Sequence, residues 1–408
     1  MRPGQFTING KDVEQCAADI LGEALELKDH GRKCSASVLL HLLLYAAARI
    51  TSLFDACGRL KNVPKDDAVR KALVAALPEI DKLECRLNAA LQATWPRSLR
   101  RRLSTGKGKW RLAVDLTLIP YHGEPLHDRK EVYRGEAKSG TTHFHAYGTC
   151  YVVHHGRRFT LALVRVELGT PMHQVLRQLL ARVRAAGIVP NLLLLDRGFV
   201  NVGVIRYLQA ARIAFLMPAV MRGRKPDDPR GPSATYVFAA RRTSGWDSYS
   251  WRDASGVKAT VRVCICRTRP RRRRQRRRRP TTLVYFFWGM QPPSAVWVRE
   301  TYRRRFGIES SYRQMNQARI RTSTRDPKLR LLFVGVAMVL RNVWVWIHLL
   351  LLSEPRRGRR QIRLERLRFR TMLLWLIHLI ESLYDTYDQA IAYVPPHSEL
   401  TETPTAAP

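Results

Sequence analysis

Apolar residues recur at three- and four-residue spacing through VEQCAADILGEALEL, SASVLLHLLLYAAARITSLFDAC and DDAVRKALVAALPEIDKL. That period predicts helices across residues 12–100, punctuated by Pro64, Pro78 and Pro96. At Lys109 the period changes. KWRLAVDLTLIPYHG, THFHAYGTCYVVHHG and RRFTLALVRVEL read as three strands, antiparallel partners joined by hairpins. PMHQVLRQLLARVRAAG then reads as a helix ending at Gly187, and NLLLLD (191–196) as a short strand apolar on both faces, of the kind buried at a sheet centre. NVGVIRYLQAARI supplies another helix and AFLMPA another strand. Three strands, a helix, a strand, a helix and a strand specify an α/β (α+β) domain with a mixed sheet and helices on its faces.

Further along, the pattern is interrupted and then resumes. Polar, Gly- and Pro-rich sequence at 221–280 surrounds three expected strands, TYVFAARR, YSWRD and VKATVRVCICR, and is read as a β-rich insertion. It closes on RTRPRRRRQRRRRP (267–280), an arginine block expected to be a phosphate-binding arm or a solvated loop. TTLVYFFWG (281–289) returns to core strand texture. LRLLFVGVAMVLRNVWVWIHLLLL (329–352) is long enough to span a bilayer, but Arg341 and Asn342 interrupt its centre, so a fully buried core helix is expected and no membrane partner. The expected organisation is an N-terminal helical domain (1–105), an α/β core in two parts (106–220 and 281–352) around the insertion (221–280), a C-terminal helical region (353–394) and a disordered tail (395–408). Ser35 to Leu73 is also compatible with a helix-turn-helix, although a helical bundle without base readout fits equally.

Charge narrows the partner. Lys+Arg is 71 against 33 Asp+Glu, a net charge of +38 over 408 residues, and 57 of the basic residues are arginine. Planar guanidinium forks match phosphate oxygens in pairs, which points to nucleic acid. The seven cysteines are scattered and odd in number, and MRPGQFTINGKDVEQ lacks the apolar segment of a secretory signal, so reduced thiols in the cytoplasm are expected. Cys264 and Cys266 have no second ligand pair nearby and make a poor zinc site.

Three carboxylates stand out against this basic background. Asp115 sits mid-strand in LAVDLTLIP, sharing a face with Ala113, Thr117 and Ile119; a buried carboxylate there needs a partner, an ion pair being the plain alternative to a metal. Asp196 ends an apolar strand, where ligand sites of open α/β sheets gather, and is also suited to cap the following helix. Glu309 lies among arginines in YRRRFGIESSYRQMN, with Arg305 and Arg313 both four residues away. On one continuous helix Tyr302, Arg305, Glu309 and Asn316 would share a band of about 60°, with Trp297, Ile308 and Met315 on a core-facing side. Gly307 weakens that helix, which is tolerable if a strand or DNA backbone comes close. Two aspartates and a glutamate form an oxygen-rich set suited to Mg²⁺ or Mn²⁺, and a pair of such ions supports in-line phosphoryl displacement.

On these residues the chain resembles insertion-sequence transposases of the DDE type, with an RNase H-like core over about 109–350. The subgroup it is similar to carries Tyr-x2-Arg-x3-Glu-x6-Lys, here Tyr302, Arg305, Glu309 and, in place of the lysine, Asn316. The resemblance implies Asp115, Asp196 and Glu309 as catalytic metal ligands for two Mg²⁺ or Mn²⁺ ions. It implies DNA contacts at Tyr302, Arg305 and Asn316; Arg197, Arg313 and Arg319 are added as phosphate-holding neighbours. Arg319 or Arg321 would compensate for the missing lysine. It further implies cut-and-paste transposition through a DNA hairpin, terminal inverted repeats and target DNA as double-stranded partners, a homodimer on DNA, and a bacterial or archaeal cytoplasmic setting. A catalytically silent DNA-binding descendant and an RNase H-like nuclease are the alternatives. His143, His145, His154 and His155 are expected to be satisfied strand histidines or DNA contacts rather than a metal site.

Overall fold

The computed structural model describes residues 7–96, 110–154, 158–268, 280–356 and 359–387. Most of the arginine block, the expected tail and the junction near residue 105 lie outside the described residues.

Five helices open the chain: α1 (Gly10–Leu25), α2 (Ala36–Arg49), α3 (Leu53–Arg59), α4 (Asp66–Ala76) and α5 (Ile80–Ala93). Side-chain caps explain several of their starts: Asn9 with Asp12, Ser35, and Ser52 with Asp55. The run SASVLLHLLLYAAARITSLFDAC is two helices, not one. Ile50 adopts φ 60°, and α3 departs from α2 at 105° before the Ser52 cap restarts the chain. Helix α2 is packed into the protein, with Leu39 through Ala48 almost entirely buried, so it is a core element of a helical body.

A nine-stranded mixed sheet follows. Its strands are β1 (Arg111–Pro120), β2 (Tyr133–Lys138), β3 (Thr141–Val152), β4 (Thr160–Val166), β5 (Leu192–Leu195), β6 (Phe215–Pro218), β7 (Gly245–Arg252), β8 (Lys258–Thr268) and β9 (Thr281–Trp288). The order is β2-β3-β1-β5-β6-β9-β8-β7, with β4 also on β3. Strands β1, β5 and β6 are parallel to one another, while β3 and β9 flank them antiparallel. Helix α6 (Met172–Ala185) connects β4 to β5 and α7 (Val202–Ala210) connects β5 to β6. This is the mixed α/β architecture of the RNase H-like type.

Two local readings change. The stretch TYVFAARR is not a strand: Tyr236–Ala239 is a single helical turn, α8, with Phe238 buried and Val237 exposed. The strands of 245–268 do not stand apart as an insertion; β8 pairs with β9 along seven residues and extends the central sheet. β2 was not foreseen, because YRGEAK shows little apolar alternation and is half-buried at best.

Alternation of side chains along the strands splits the core in two. Leu193, Leu195, Phe215, Met217 and Phe286 face the larger cluster, which is continuous with the helical body. Leu192, Leu194, Leu216, Cys264, Cys266 and Phe287 face a smaller cluster with Tyr302 and Ile308. That second face carries α9 (Ala295–Arg303) and α10 (Gly307–Met315), separated by the 3₁₀ turn Arg304–Phe306. The expected single helix is therefore broken at Arg304, and Trp297 is only partly buried, with Val298 taking the core position.

The long apolar helix α11 (Pro327–Leu350) begins at the Asp326 cap with Pro327 in its first turn. It is long and apolar enough to cross a membrane, but 94% of its most apolar window is buried against the protein. Asn342 in its centre binds Thr160 N–H (2.9 Å) and C=O (2.9 Å) and the Thr94 hydroxyl (3.2 Å), tying α11 to β4 and to the end of α5. Asn342 is thus a fully satisfied inter-element lock. A short hairpin, β10 (Glu354–Arg356) with β11 (Arg359–Gln361), and α12 (Phe369–Tyr384) complete the fold, α12 packing on α1 and α2.

Candidate functional site

Strand register brings the first two carboxylates together. In the parallel pair β1–β5, Val114 lies opposite Leu195. The next residue on each strand is Asp115 and Asp196, so the two acids emerge side by side where β5 ends. Asp196 precedes the 3₁₀ turn Arg197–Phe199, but its side chain makes no capping hydrogen bond; Asn201 caps α7 instead. The capping role open to Asp196 in the sequence is not the one it takes.

Glu309 arrives from α10, whose placement depends on phenols. Tyr312 pairs with the Thr149 hydroxyl at 2.6 Å, and Tyr151 donates to the Gly307 carbonyl at 3.2 Å. Thr149 is the β3 partner of Asp115, so the helix is pinned directly above the acid-bearing strand. Gly307 has no side chain where a Cβ would stand 3.3 Å from the Arg158 guanidinium; the neighbour there is that side chain and not the strand or DNA backbone expected from the sequence. Sequence reasoning missed Thr149, Tyr151 and Tyr312; alternate positions of β3, Thr149 and Tyr151, carried the signal.

The three carboxylates converge on one cation. Arg305 Nη2 lies 3.3 Å from Asp115 Oδ2 and 3.3 Å from Asp196 Oδ1, and Nη1 lies 3.7 Å from Glu309 Oε1. The two aspartate oxygens are therefore no further apart than twice that first distance. Arg305 is 4% exposed, whereas Asp196 and Glu309 are each 46% exposed, so the cluster is open on one side. The i,i+4 ion pair offered by the sequence exists, with Arg305 and not with Arg313.

Burial pushes the Asp115 carboxyl up to about 6; Arg305 opposes that rise, and Asp196 and Glu309 add to it by repulsion. Burial works against the charge of Arg305, but Asp115, Tyr302, Asp196 and Glu309 outweigh it and raise its pKa. The Arg305 guanidinium lies 5.9 Å from the centre of the Tyr302 ring, and that ring packs on Tyr285 at 5.4 Å. Burial holds the Tyr302 hydroxyl protonated, well above its usual range.

The remaining predicted residues are arranged differently. Tyr302 is 6% exposed and belongs to the smaller core cluster, so it supports Arg305 instead of projecting outward. Arg197, next to Asp196 in the chain, and Arg313 and Asn316, in the helix of Glu309 and at its end, are exposed. Arg319 is partly withdrawn beside Arg321 and Tyr147, and burial lowers its pKa. Among the described residues none of Arg197, Arg313 or Arg319 forms an ion pair with the three acids. His145 is not satisfied: it is 4% exposed, its Nε2 has no partner, and burial together with Arg330 and Arg165 pushes it down to about 3. All seven cysteines are free.

Chemically the cluster suits a hard divalent cation, because its donors are carboxylate oxygens delivered from two strand ends and a helix. The point on which they converge is held by a guanidinium, and among the described residues no three acidic, His or Cys side chains are already closed around a metal position. The donor set fits such an ion once Arg305 gives up the centre.

The family model described as "Transposase DDE domain" matches residues 106–341. Among solved structures, the chain resembles a piggyBac transposase in a synaptic complex with hairpin DNA, with a TM-score of 0.51 at 12% identity, over 94% of this chain and 82% of the other. No curated protein sequence matches the chain.

Proposed function

Because the chain belongs to the transposase DDE domain family and is a DNA transposase of the DDE type, we propose that Asp115, Asp196 and Glu309 are its metal-binding catalytic carboxylates and that it performs cut-and-paste transposition through a hairpin intermediate. Enzymes of this family generally use divalent metal ions and act on DNA. The finer reading assigned here is two Mg²⁺ or Mn²⁺ ions, terminal inverted repeats and target DNA as partners, a homodimer on DNA, and a cytoplasmic setting. The observation that carries it is the convergence of three acids, from three separate elements, within 3.7 Å of one guanidinium.

When bound, the ions would supply activation of an attacking oxygen and stabilisation of the leaving one. The protein's own contribution is positional. Strands β1 and β5 fix Asp115 and Asp196, while Tyr312 and Tyr151 fix the helix of Glu309. Arg305 keeps the three acids gathered by neutralising part of their mutual repulsion. Once the acids take a cation, its guanidinium is free to grip a DNA phosphate, as the Tyr-Arg-Glu signature implies. Arg197, Arg313 and Asn316, all exposed, are assigned to the DNA backbone, and Arg319 to the same role from a more withdrawn position. The N-terminal helices are assigned to DNA-end binding. The segments 106–220 and 281–352 are assigned to the catalytic core, 221–280 to an extension of its sheet, and 353–394 to a C-terminal helical region.

The guanidinium at the centre is also what favours a second reading, a DNA-binding protein without strand cleavage. Asp115→Asn separates the two. Incubated with Mg²⁺ and DNA carrying the repeats that flank the gene, the wild-type chain cleaves the element ends and the variant loses at least about a thousandfold in rate, while DNA affinity is kept. A wild-type chain that binds those ends and never cuts them in Mg²⁺ or Mn²⁺ establishes the second reading.

A further inference from the structure

Behind the helix of Glu309 lies a cavity of about 270 Å³ that the carboxylate cluster does not use. Its wall carries Arg341, a guanidinium 2% exposed. Among the described residues Arg341 reaches neutral acceptors: the Arg158 carbonyl, Gln314 Oε1 at 3.4 Å and the Tyr151 hydroxyl at 3.5 Å. The Arg158 side chain lines the same cavity. Among the described residues no carboxylate forms an ion pair with either arginine. A buried cation ordinarily has an anion beside it. Here two cations face one space, and no carboxylate among the described residues pairs with either.

His348 lines the cavity from the other side and is 1% exposed. Its Nε2 lies 2.7 Å from the Leu367 carbonyl, so that nitrogen carries the proton and Nδ1 is an acceptor. Nδ1 has no hydrogen-bond partner. The cavity thus presents donors for an oxyanion, from buried Arg341 and half-buried Arg158, and one buried acceptor for an N–H or O–H group. Trp344, held by its indole N–H on the Leu367 carbonyl at 2.8 Å, and Leu364 add apolar wall between them. Water takes about 30 Å³ per molecule, so the space far exceeds a bare phosphate and approaches the lower end of small-ligand pockets.

The geometry points to this cavity as a nucleotide site: a phosphate monoester seated on Arg158 and Arg341, its sugar or base donating to His348 Nδ1 and lying along Trp344 and Leu364. The shared chemistry is that of a nucleoside monophosphate, supplied as a free nucleotide or as the phosphorylated 5′ end of a DNA strand. It rests on buried Arg341 and half-buried Arg158 lining one cavity and not on the metal-site reading. Arg158 also faces Gly307 at the start of the helix that carries Glu309, so a ligand held there would brace that helix from behind.

The test is calorimetric titration of the full chain, without divalent ions, using deoxyadenosine monophosphate, inorganic phosphate, and a short single strand with or without a 5′ phosphate. Leu364→Trp fills the cavity from a rim residue that is 49% exposed, so folding is preserved; Arg158→Gln removes one cation. Saturable nucleotide binding that falls at least tenfold in both variants, with unchanged melting temperature of the unliganded chain, is expected. A 5′-phosphorylated strand that outcompetes its hydroxyl counterpart in the wild type but not in Leu364→Trp identifies the source as a strand end; nucleotide binding without that preference identifies a free nucleotide. Absence of nucleotide binding to the wild type, or binding unaffected by both substitutions, overturns the assignment. Cleavage activity is not read, so failure of the metal-site proposal leaves this result intact.

Discussion

Arg305 Nη2 lies 3.3 Å from Asp115 Oδ2, with the arginine side chain 4% exposed and the aspartate 15%. Removing one member of a buried, paired set leaves the other charge uncompensated, which costs more than the pair contributes. Arg305→Met is therefore expected to destabilise the fold by about 3–5 kcal/mol at neutral pH. Denaturant unfolding measures this. Added Mn²⁺ should restore part of the loss by replacing the missing cation, and a variant as stable as the wild type without metal would show that Arg305 does not hold the acids.

The pH dependence of stability carries a separate signature at His145. Its folded pKa is pushed down to about 3, against an ordinary value of about 6.5 for an unfolded histidine. Between those two values the unfolded chain binds a proton that the folded chain refuses. Stability is thus fully present above about pH 6.5 and falls as the pH drops, by about 1.4 kcal/mol per unit from this group alone. Nε2 has no partner to lose, so His145→Gln should flatten that slope in urea titrations run from pH 7 to pH 4. Identical slopes in the two proteins would place the acid sensitivity elsewhere.

The residues of the candidate site stand out in the sequence because they violate local expectations. Asp196 closes a run of four buried leucines, Asp115 sits inside a strand, and Glu309 is a lone acid among arginines. What the sequence did not disclose was Arg305 as the point of convergence. That depends on the register of β1 against β5 and on a 3₁₀ turn at Arg304–Phe306 breaking the expected helix, both set by tertiary packing. TYVFAARR carries β-branched and aromatic residues at strand-like spacing, yet one turn of helix buries Phe238. β2 escaped because an edge-like polar strand owes its place to pairing with β3 and not to its own pattern.

The packing of α11 on α5 turns on one small residue. A Cβ at Gly335 would meet Leu87 Cδ2 at 2.5 Å, Cδ1 at 2.7 Å and Cγ at 3.0 Å. Glycine weakens a helix interior, and here it admits a leucine. Gly335→Ala gains helix propensity but overpacks the contact, and a net loss of about 1–3 kcal/mol is expected. The double variant with Leu87→Ala should lose less than the sum of the two single losses. Strict additivity in thermal unfolding would refute the contact.

Asn342, at the centre of the apolar helix α11, answers a different question. Its side chain accepts from Thr160 N–H and donates to Thr160 C=O and the Thr94 hydroxyl. Asn342→Leu matches its surroundings in polarity but strands a buried N–H, so a loss of about 1–3 kcal/mol is expected. Hydrogen exchange should show the Thr160 amide losing protection first. A stabilised variant would mean that the polar lock is dispensable.

Arg313 is exposed on the same helix as Glu309 and forms no ion pair with it, so its charge is available to a phosphate. One phosphate contact contributes about one unit to the slope of log affinity against log salt concentration. Arg313→Ala is expected to lower that slope by about one and to weaken binding equally for all DNA sequences. Arg319 is partly withdrawn and its charge is disfavoured by burial, so Arg319→Ala should change the slope less. Fluorescence anisotropy across a salt series distinguishes the two. A sequence-dependent loss at Arg313 would make it a base reader, and an equal drop at both positions would require Arg319 to swing outward when DNA binds.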